Sequence, residues 1–355
     1  MASLTLNGYG FSYAEIKEGN LLGKTSFEQA TLGFCRQWLA GQATFRLKTS
    51  GSTGTPKVIT VSREQMQHSA RQTIRYFNLS PTDTVLVCLN TAYIAGLMML
   101  VRAFECGANI VAVDPDSNPL VKVTGKIDFM AVVPLQLAAI LANPDTKNRL
   151  EQCRAVIVGG APVTVALEEQ VKTSRAKIYA TFGMTETLTH FALRQLNPVY
   201  EEAFTALEEV AIGQDGRGCL TVASPVTQHQ VLATNDLIEL RGQNRFKWLG
   251  RIDNIINTGG IKLSTEMLER KIAQAFYDLG LDNHFFIGAK ADDTLGEKVI
   301  LLIEAETAIA AIENLNWSHY LDKYEKPGEI IYRKRFVETP TGKINRVATL
   351  AEVCP

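Results

Sequence analysis

Long apolar runs are missing from this sequence. The longest, such as residues 85–89 and 299–303, are strand-sized and far short of the roughly 20 residues that a membrane helix needs. No insertion into a membrane is expected. The opening residues Met1-Ala2-Ser3-Leu4-Thr5 have neither the basic start nor the apolar stretch of an export signal, so the expected location is the cytoplasm. An excess of charge of one sign is missing too: 36 Lys and Arg stand against 37 Asp and Glu, and the basic residues do not cluster. Without a basic patch nothing gathers phosphate backbones, which excludes nucleic acid as an expected partner. Cysteine is sparse and unpaired. Cys35, Cys88, Cys106, Cys153, Cys219 and Cys354 stand singly, with no spacing that reads as a zinc site or a redox pair, and are expected to be reduced thiols acting as small hydrophobes. Internal repeats and low-complexity segments are also absent.

What is present is apolar surface enough for a large core. Of the 355 residues, 46% are hydrophobic, and a chain of this length favours more than one structural unit. Short apolar strands (84–89, 109–113, 129–133, 155–158 and 177–180) alternate with amphipathic helices, which predicts an α/β fold with a helix-covered sheet. The clearest helix starts at Ser62, where Gln65 completes a capping box and Met66, Ala70, Ile74 and Phe77 fall on one face. Over 218–251 the alternation tightens to a period of two, which predicts a smaller antiparallel or barrel-like β unit. Beyond Arg251 a new alternation begins, with a helix over 264–277 and strands near 285–288, 299–303 and 330–332. The alanine-rich stretch 304–311 has the composition of an ordinary helix. The pattern predicts a large unit over 1–250 and a small α+β unit over 251–355, with the boundary near Asp253.

The most informative stretch is Thr49-Ser50-Gly51-Ser52-Thr53-Gly54-Thr55-Pro56-Lys57. Glycine lets backbone N–H groups approach anionic oxygens, hydroxyls add hydrogen bonds, and lysine adds a point charge, so the loop suits a polyphosphate. It is not the P-loop of NTPases. That motif needs Gly-Lys-Ser/Thr opening a helix, whereas here Pro56 precedes the lysine, Val58 follows it and a strand comes next. A flexible solvent loop would account for the Gly and Ser but not for the ordered string ending in Pro-Lys.

This string resembles the phosphate-binding signature of the adenylate-forming superfamily, which includes acyl-CoA synthetases, luciferases and the adenylation domains of peptide synthetases. The likeness continues in order from Thr49 to Arg346. Val158-Gly159-Gly160-Ala161-Pro162 resembles the turn that contacts adenine in the family. Thr181-Phe182-Gly183-Met184-Thr185-Glu186 is similar to its next signature, which implies that Phe182 flanks adenine, Thr185 contacts the α-phosphate and Glu186 holds Mg²⁺. Asp236 matches the ribose-binding aspartate, with Arg251 as its partner. Gly250-Arg251-Ile252-Asp253 resembles the hinge between a large adenylation domain and a mobile lid, and Pro340-Thr341-Gly342-Lys343-Ile344-Asn345-Arg346 resembles the motif of the catalytic lysine. The resemblance implies an acid–thiol ligase that uses ATP, Mg²⁺ and coenzyme A; the sequence leaves monomer and homodimer both open. The resemblance also implies that Gly259 and Gly260 line the tunnel for the thiol, although on their own they read as a turn into the following helix.

These residue types suit that chemistry. Attack of a carboxylate on the α-phosphate of ATP brings anions together, so catalysis comes chiefly from positioning and from positive charge aimed at the transition state. Lys343 can bridge both groups, Glu186 is a hard oxygen ligand for Mg²⁺, and Asp236 can accept from ribose hydroxyls. Taken singly, Lys343 reads as a turn residue, Glu186 as a solvated cap and Asp236 as a turn between strands; the ordered set is what singles them out.

Some features depart from the pattern. The phosphate loop begins only about fifty residues in, so a compact version with a shortened N-terminal region is expected. Tyr93 stands near the place of an aromatic or histidine ahead of a Gly-Leu pair, Asn235 replaces a common glycine and Asn254 a common acid. Within the superfamily the resemblance is greatest to the o-succinylbenzoate–CoA ligases of menaquinone synthesis, which implies a substrate with a second carboxylate and a keto group. Thr189, His190 and Arg194 are candidates by position for the donors it requires. The alternatives are a ligase for another aryl or short acyl acid, and an inactive nucleotide-binding or interaction protein.

Overall fold

The computed structural model describes residues 3–19, 21–48, 58–338 and 344–353. Six parallel strands form the middle of the larger sheet, in the spatial order Ser3–Leu6, Asn109–Ala112, Thr84–Val87, Phe129–Val132, Ala155–Val158 and Ile178–Gly183. Successive side chains leave opposite faces. Val85 and Val87 enter one core with helices Ser26–Leu39, Arg63–Phe77 and Ile94–Cys106, while Leu86 enters another with helices Pro134–Ala142 and Val165–Lys172. Both faces are covered, which explains why Phe129–Val132 and Ala155–Val158 are buried throughout.

The expected capping box forms. Ser62 accepts from the Gln65 N–H, the Gln65 side chain returns to the Ser62 N–H, and Met66, Ala70 and Phe77 are buried, with Ile74 packed beside them. Five cysteines are free thiols, four of them buried; Cys354 lies outside the described residues. Among the described residues no helix is long and apolar enough to cross a membrane.

The antiparallel strands expected over 218–251 are present but do not make a separate sheet. Strand His190–Asn197 pairs antiparallel with Ile178–Gly183 and carries the ladder on through Phe204–Ala206, Arg245–Arg251, Leu232–Leu240 and Cys219–Ala223 to Ala211–Gln214. With Tyr9–Ser12 at the opposite edge, the sheet has thirteen strands among the described residues. The antiparallel half keeps its own core of Phe191, Ala192, Leu220, Val222, Ile238 and Phe246. It is a unit by packing and an extension by hydrogen bonding.

Strand Arg245–Arg251 ends the chain's path through this sheet, and a 3-10 turn at Ile252–Asn254 leads to the first strand of a second sheet, Ile255–Thr258. This five-stranded sheet also holds Ile261–Ser264, Gly296–Glu304, Phe285–Asp292 and Glu329–Arg333. Helix Thr265–Asp278, capped by Ser264, buries Leu268, Ile272, Ala275 and Phe276 against it, the spacing of a single apolar stripe. Residues 304–311 are helical only from Ala310. Glu304 ends a strand and the Ala305 N–H is held by the Arg333 carbonyl at 2.8 Å, so the ladder takes the start of the stretch that composition assigns to a helix, and residues 306–309 are irregular.

Candidate active site

Two turns at the carboxyl ends of neighbouring parallel strands form the first part of the site, the position where open α/β sheets hold ligands. Val158 is opposite Ala180 in the ladder, and the Thr181 hydroxyl donates to the Val158 carbonyl at 3.2 Å. A Cβ on Gly159 would lie 2.1 Å from that hydroxyl, and Gly160 has φ +84, so the turn accepts only small backbone here. Ala161 follows it.

The second turn is built around strain. Thr185–Thr187 form a 3-10 turn in which the Thr187 hydroxyl accepts from the Met184 N–H at 3.1 Å. Leu188 then adopts φ 64, ψ −58, and the Thr189 N–H reaches the Thr187 carbonyl at 2.7 Å. That is the rare γ-turn, held because Leu188 is buried and Gly183 lets the chain pass: a Cβ there would meet the Thr189 carbonyl at 2.3 Å. The turn leaves Thr185 and Glu186 exposed and sends Thr189 and His190 inward. Among the described residues no cluster of three or more His, Cys, Asp or Glu could hold a metal by itself. Glu186, exposed and without a partner among those residues, fits Mg²⁺, which typically binds through one or two carboxylates with phosphates and water supplying the rest.

Phe182 stands with its ring edge-on to Phe191, Phe204 and Phe246, at 5.7, 5.1 and 5.2 Å between centroids. Met184 and Trp248 pack on the same core. The Trp248 indole N–H donates to Asp236 Oδ1 at 3.0 Å. Arg251 is opposite Asp236 in the ladder, but its guanidinium binds Asp253 at 2.9 Å instead. Asp253 also accepts from the Asn235 amide at 3.2 and 3.1 Å, and Arg251 first and Asn235 second hold its carboxyl below the usual carboxylate range. Gly259 and Gly260, at φ +55 and +81, are the tip of a two-residue hairpin between Thr258 and Ile261, the backbone of a type I′ turn. Thr49, Ser50, Gly51, Ser52, Thr53, Gly54, Thr55, Lys57 and Lys343 lie outside the described residues. The strands flanking that first loop, Thr44–Lys48 and Val58–Ser62, pair antiparallel.

The residues singled out for the acid separate into three places. Tyr93 is exposed just ahead of helix Ile94–Cys106. Thr189 and His190 are inside, beside a residue that sequence reasoning missed. Arg102, 2% exposed, donates from Nε to the Thr73 hydroxyl at 3.2 Å and from Nη2 to the Thr189 hydroxyl at 3.3 Å, with Nη1 3.5 Å from Met99 Sδ. The Ser69 hydroxyl is 2.8 Å from that of Thr189, and the Thr73 hydroxyl 3.2 Å from His190 Nε2. Among the described residues no carboxylate pairs with Arg102, and burial lowers its pKa to about 10. Burial first, and Arg102 second, push His190 well below its ordinary pKa, so the imidazole is neutral. The signal was there to read: a lone arginine in the apolar helix Ile-Ala-Gly-Leu-Met-Met-Leu-Val-Arg, whose nearest acid, Glu105, is taken by Arg71 and Gln67.

Arg194 is not part of that cluster. A bulge between His190 and Ala192 turns the strand over, so Arg194 leaves by the opposite face. There it pairs with Glu168 at 2.9 Å and donates to the Tyr200 hydroxyl at 2.8 Å. Glu168, 5% exposed, also takes Arg270 from helix Thr265–Asp278, and Arg270 reaches the same Tyr200 hydroxyl at 2.8 Å. The candidate substrate residue is one half of an ionic clamp that joins the two units.

A family profile described as AMP-binding enzyme matches residues 43–211. The chain is 40% identical to an acyl-CoA synthetase (AMP-forming)/AMP-acid ligase II-like protein from Dyadobacter fermentans, with 93% of this chain and 95% of that one covered and a TM-score of 0.64. It is 27% identical over 361 residues to a 2-succinylbenzoate–CoA ligase of Listeria monocytogenes, which takes in 95% of this chain and 74% of the relative. An o-succinylbenzoate coenzyme A synthetase of Bacillus subtilis, solved in complex with ATP and magnesium ion, has a TM-score of 0.69 over 86% of this chain and 69% of its own, at 18% identity, a likeness of fold.

Proposed function

Since this chain belongs to the AMP-binding enzymes and is an adenylate-forming acyl-CoA ligase, we propose that its acid carries a second carboxylate and is o-succinylbenzoate, ligated for menaquinone synthesis. The observation that carries this reading is Arg102. A buried charge is tolerated when it is paired, and the described residues offer Arg102 hydroxyls and a thioether but no anion. A substrate carboxylate supplies the missing partner through short, charge-assisted hydrogen bonds. Thr189 and Ser69 add donors for a keto oxygen, and neutral His190 adds no second cation to the pocket. The relatives named for this acid support the choice.

In this reading the acid's other carboxylate attacks the α-phosphorus of ATP, the bond to the β-phosphate oxygen breaks, and pyrophosphate leaves. The thiol of coenzyme A then attacks the acyl carbon and AMP departs. Lys343 balances charge at the α-phosphate, Thr185 contacts it, and the 49–57 loop cradles the remaining phosphates. Glu186 holds Mg²⁺, which supplies charge neutralisation along the phosphates. Gly159, Gly160, Ala161, Phe182, Gly183 and Met184 border the adenine, and Asp236 binds the ribose. The unit over 251–355 turns about Asp253 between the two half-reactions, bringing Gly259 and Gly260 to the thiol. The enzyme works in the cytoplasm.

The test is pyrophosphate release with ATP, Mg²⁺, coenzyme A and a panel of acids headed by o-succinylbenzoate, with Lys343→Ala as control. Turnover with o-succinylbenzoate that is lost in the control is the expected result. Turnover only with acids that have a single carboxylate keeps the ligase and discards the pairing with Arg102.

A further inference from the structure

We propose that Trp248 is a positioning residue for the nucleotide's ribose: its indole N–H fixes one oxygen of Asp236 and leaves the other free for the sugar hydroxyls. The inference rests on the reading of Asp236 given above and deepens it. Among the described residues Trp248 is the one side chain that donates to this carboxylate, and Oδ2 accepts from none. Arg251, the partner that the resemblance implies, is engaged by Asp253.

The backbone is arranged for this contact. In the ladder Asp236 faces Arg251 and Leu237 faces Gly250, but Ile238 faces Trp248, so Leu249 is the extra residue of a bulge. Without the bulge Leu249 would stand opposite Ile238 and Trp248 would point from the other face of the sheet. With it, Trp248 shares the face of Asp236, one diagonal step along the neighbouring strand. Gly250 adopts φ +116 beside the bulge, and a Cβ there would lie 2.2 Å from the Ser264 hydroxyl. A tryptophan N–H donates and never accepts, so it can hold only an acceptor oxygen. The ring itself rests on the core that seats Phe182 and Met184. One apolar cluster therefore fixes both the aromatic assigned to the base and the donor that orients the acid assigned to the sugar.

The test is calorimetric binding of AMP, 2′-deoxy-AMP and 3′-deoxy-AMP to the wild type, Trp248→Phe and Trp248→His. The wild type should lose about tenfold or more on removal of a hydroxyl held by Asp236, the scale of one hydrogen bond to a charged group. Trp248→Phe should weaken AMP about tenfold and shrink the deoxy penalty to less than about twofold, because the acid is no longer aligned. Trp248→His, which keeps a ring N–H, should recover part of the discrimination. Equal weakening of all three nucleotides, or unchanged affinity for AMP, overturns the assignment and leaves Trp248 as packing alone. The reading of Asp236 fails by a different outcome, a wild type that binds AMP and both deoxy nucleotides equally well.

Discussion

Arg102 and Arg194 are both largely withdrawn from water, and the charge of their partners differs. Arg194, with 11% of its side chain exposed, meets Glu168, at 5%, and the aromatic ring of Tyr200. Arg102 meets Thr73, Thr189 and Met99 and, among the described residues, no anion. The first arrangement is complete in charge without a ligand, although the Arg194 Nε is buried with no hydrogen-bond partner among the described residues. The second is incomplete, and a protein that keeps a desolvated cation unpaired gives up stability at that point, which is the physical mark of a site rather than of a scaffold.

The comparison breaks most sharply on Arg102→Met. Exchanging an unpaired buried charge for an apolar side chain of similar length should leave the denaturant midpoint unchanged or higher. Release of pyrophosphate with o-succinylbenzoate should fall by about a hundredfold or more, since a charge-assisted pair to the substrate is lost. A fall in stability with activity intact would show that Arg102 is structural. The complementary change, Glu168→Gln, leaves Arg194 unpaired and should cost about 3 kcal/mol of unfolding free energy in a urea titration, the scale for breaking a buried pair. If Glu168→Gln cost no more than an exposed pair, the contrast between the two arginines would collapse.

His190 sharpens the contrast through pH. Its folded pKa lies well below the ordinary 6.5, chiefly through burial and then through Arg102. The unfolded state therefore takes up a proton that the folded state refuses as pH falls below about 6.5, so this stability is present above that pH and is lost on acidification, at a slope of up to about 1.4 kcal/mol per pH unit. His190→Asn should flatten the dependence of the urea midpoint between pH 7.5 and 5. The smallest effect belongs to Asn235→Ala. It removes two exposed hydrogen bonds to Asp253 and should change stability by less than about 1 kcal/mol. The ratio of pyrophosphate release to thioester formation should nevertheless shift, by less than about fivefold, and an unchanged ratio would remove Asn235 from the hinge.

Much of the fold is legible in the sequence because local chemistry decides it. Ser62 with Gln65 sets a helix start whatever surrounds it, and the apolar runs at 129–132 and 155–158 have no use except between two helical layers. What sequence patterns leave open is how strands associate. The alternation over 218–251 is right for antiparallel strands, yet nothing in it says that Phe204–Ala206 joins them to the parallel sheet. The site divides in the same way. The glycine turns and Glu186 stand in ordered strings, whereas Arg102 belongs to no string and shows only as a charge out of place in a helix. Nearness to Glu186 along the chain points to Arg194, and one extra residue in a strand is enough to send it elsewhere.

The clamp at Glu168 has a consequence for any movement of the smaller unit. Arg270 arrives from that unit, but Arg194 belongs to the same unit as the carboxylate it holds. When Arg270 withdraws, Glu168 keeps a resident cation, so parting the units exposes one guanidinium to water and strands no anion in the interior. A contact with two guanidiniums on one acid can thus be firm when closed and still open at the cost of an ordinary surface pair.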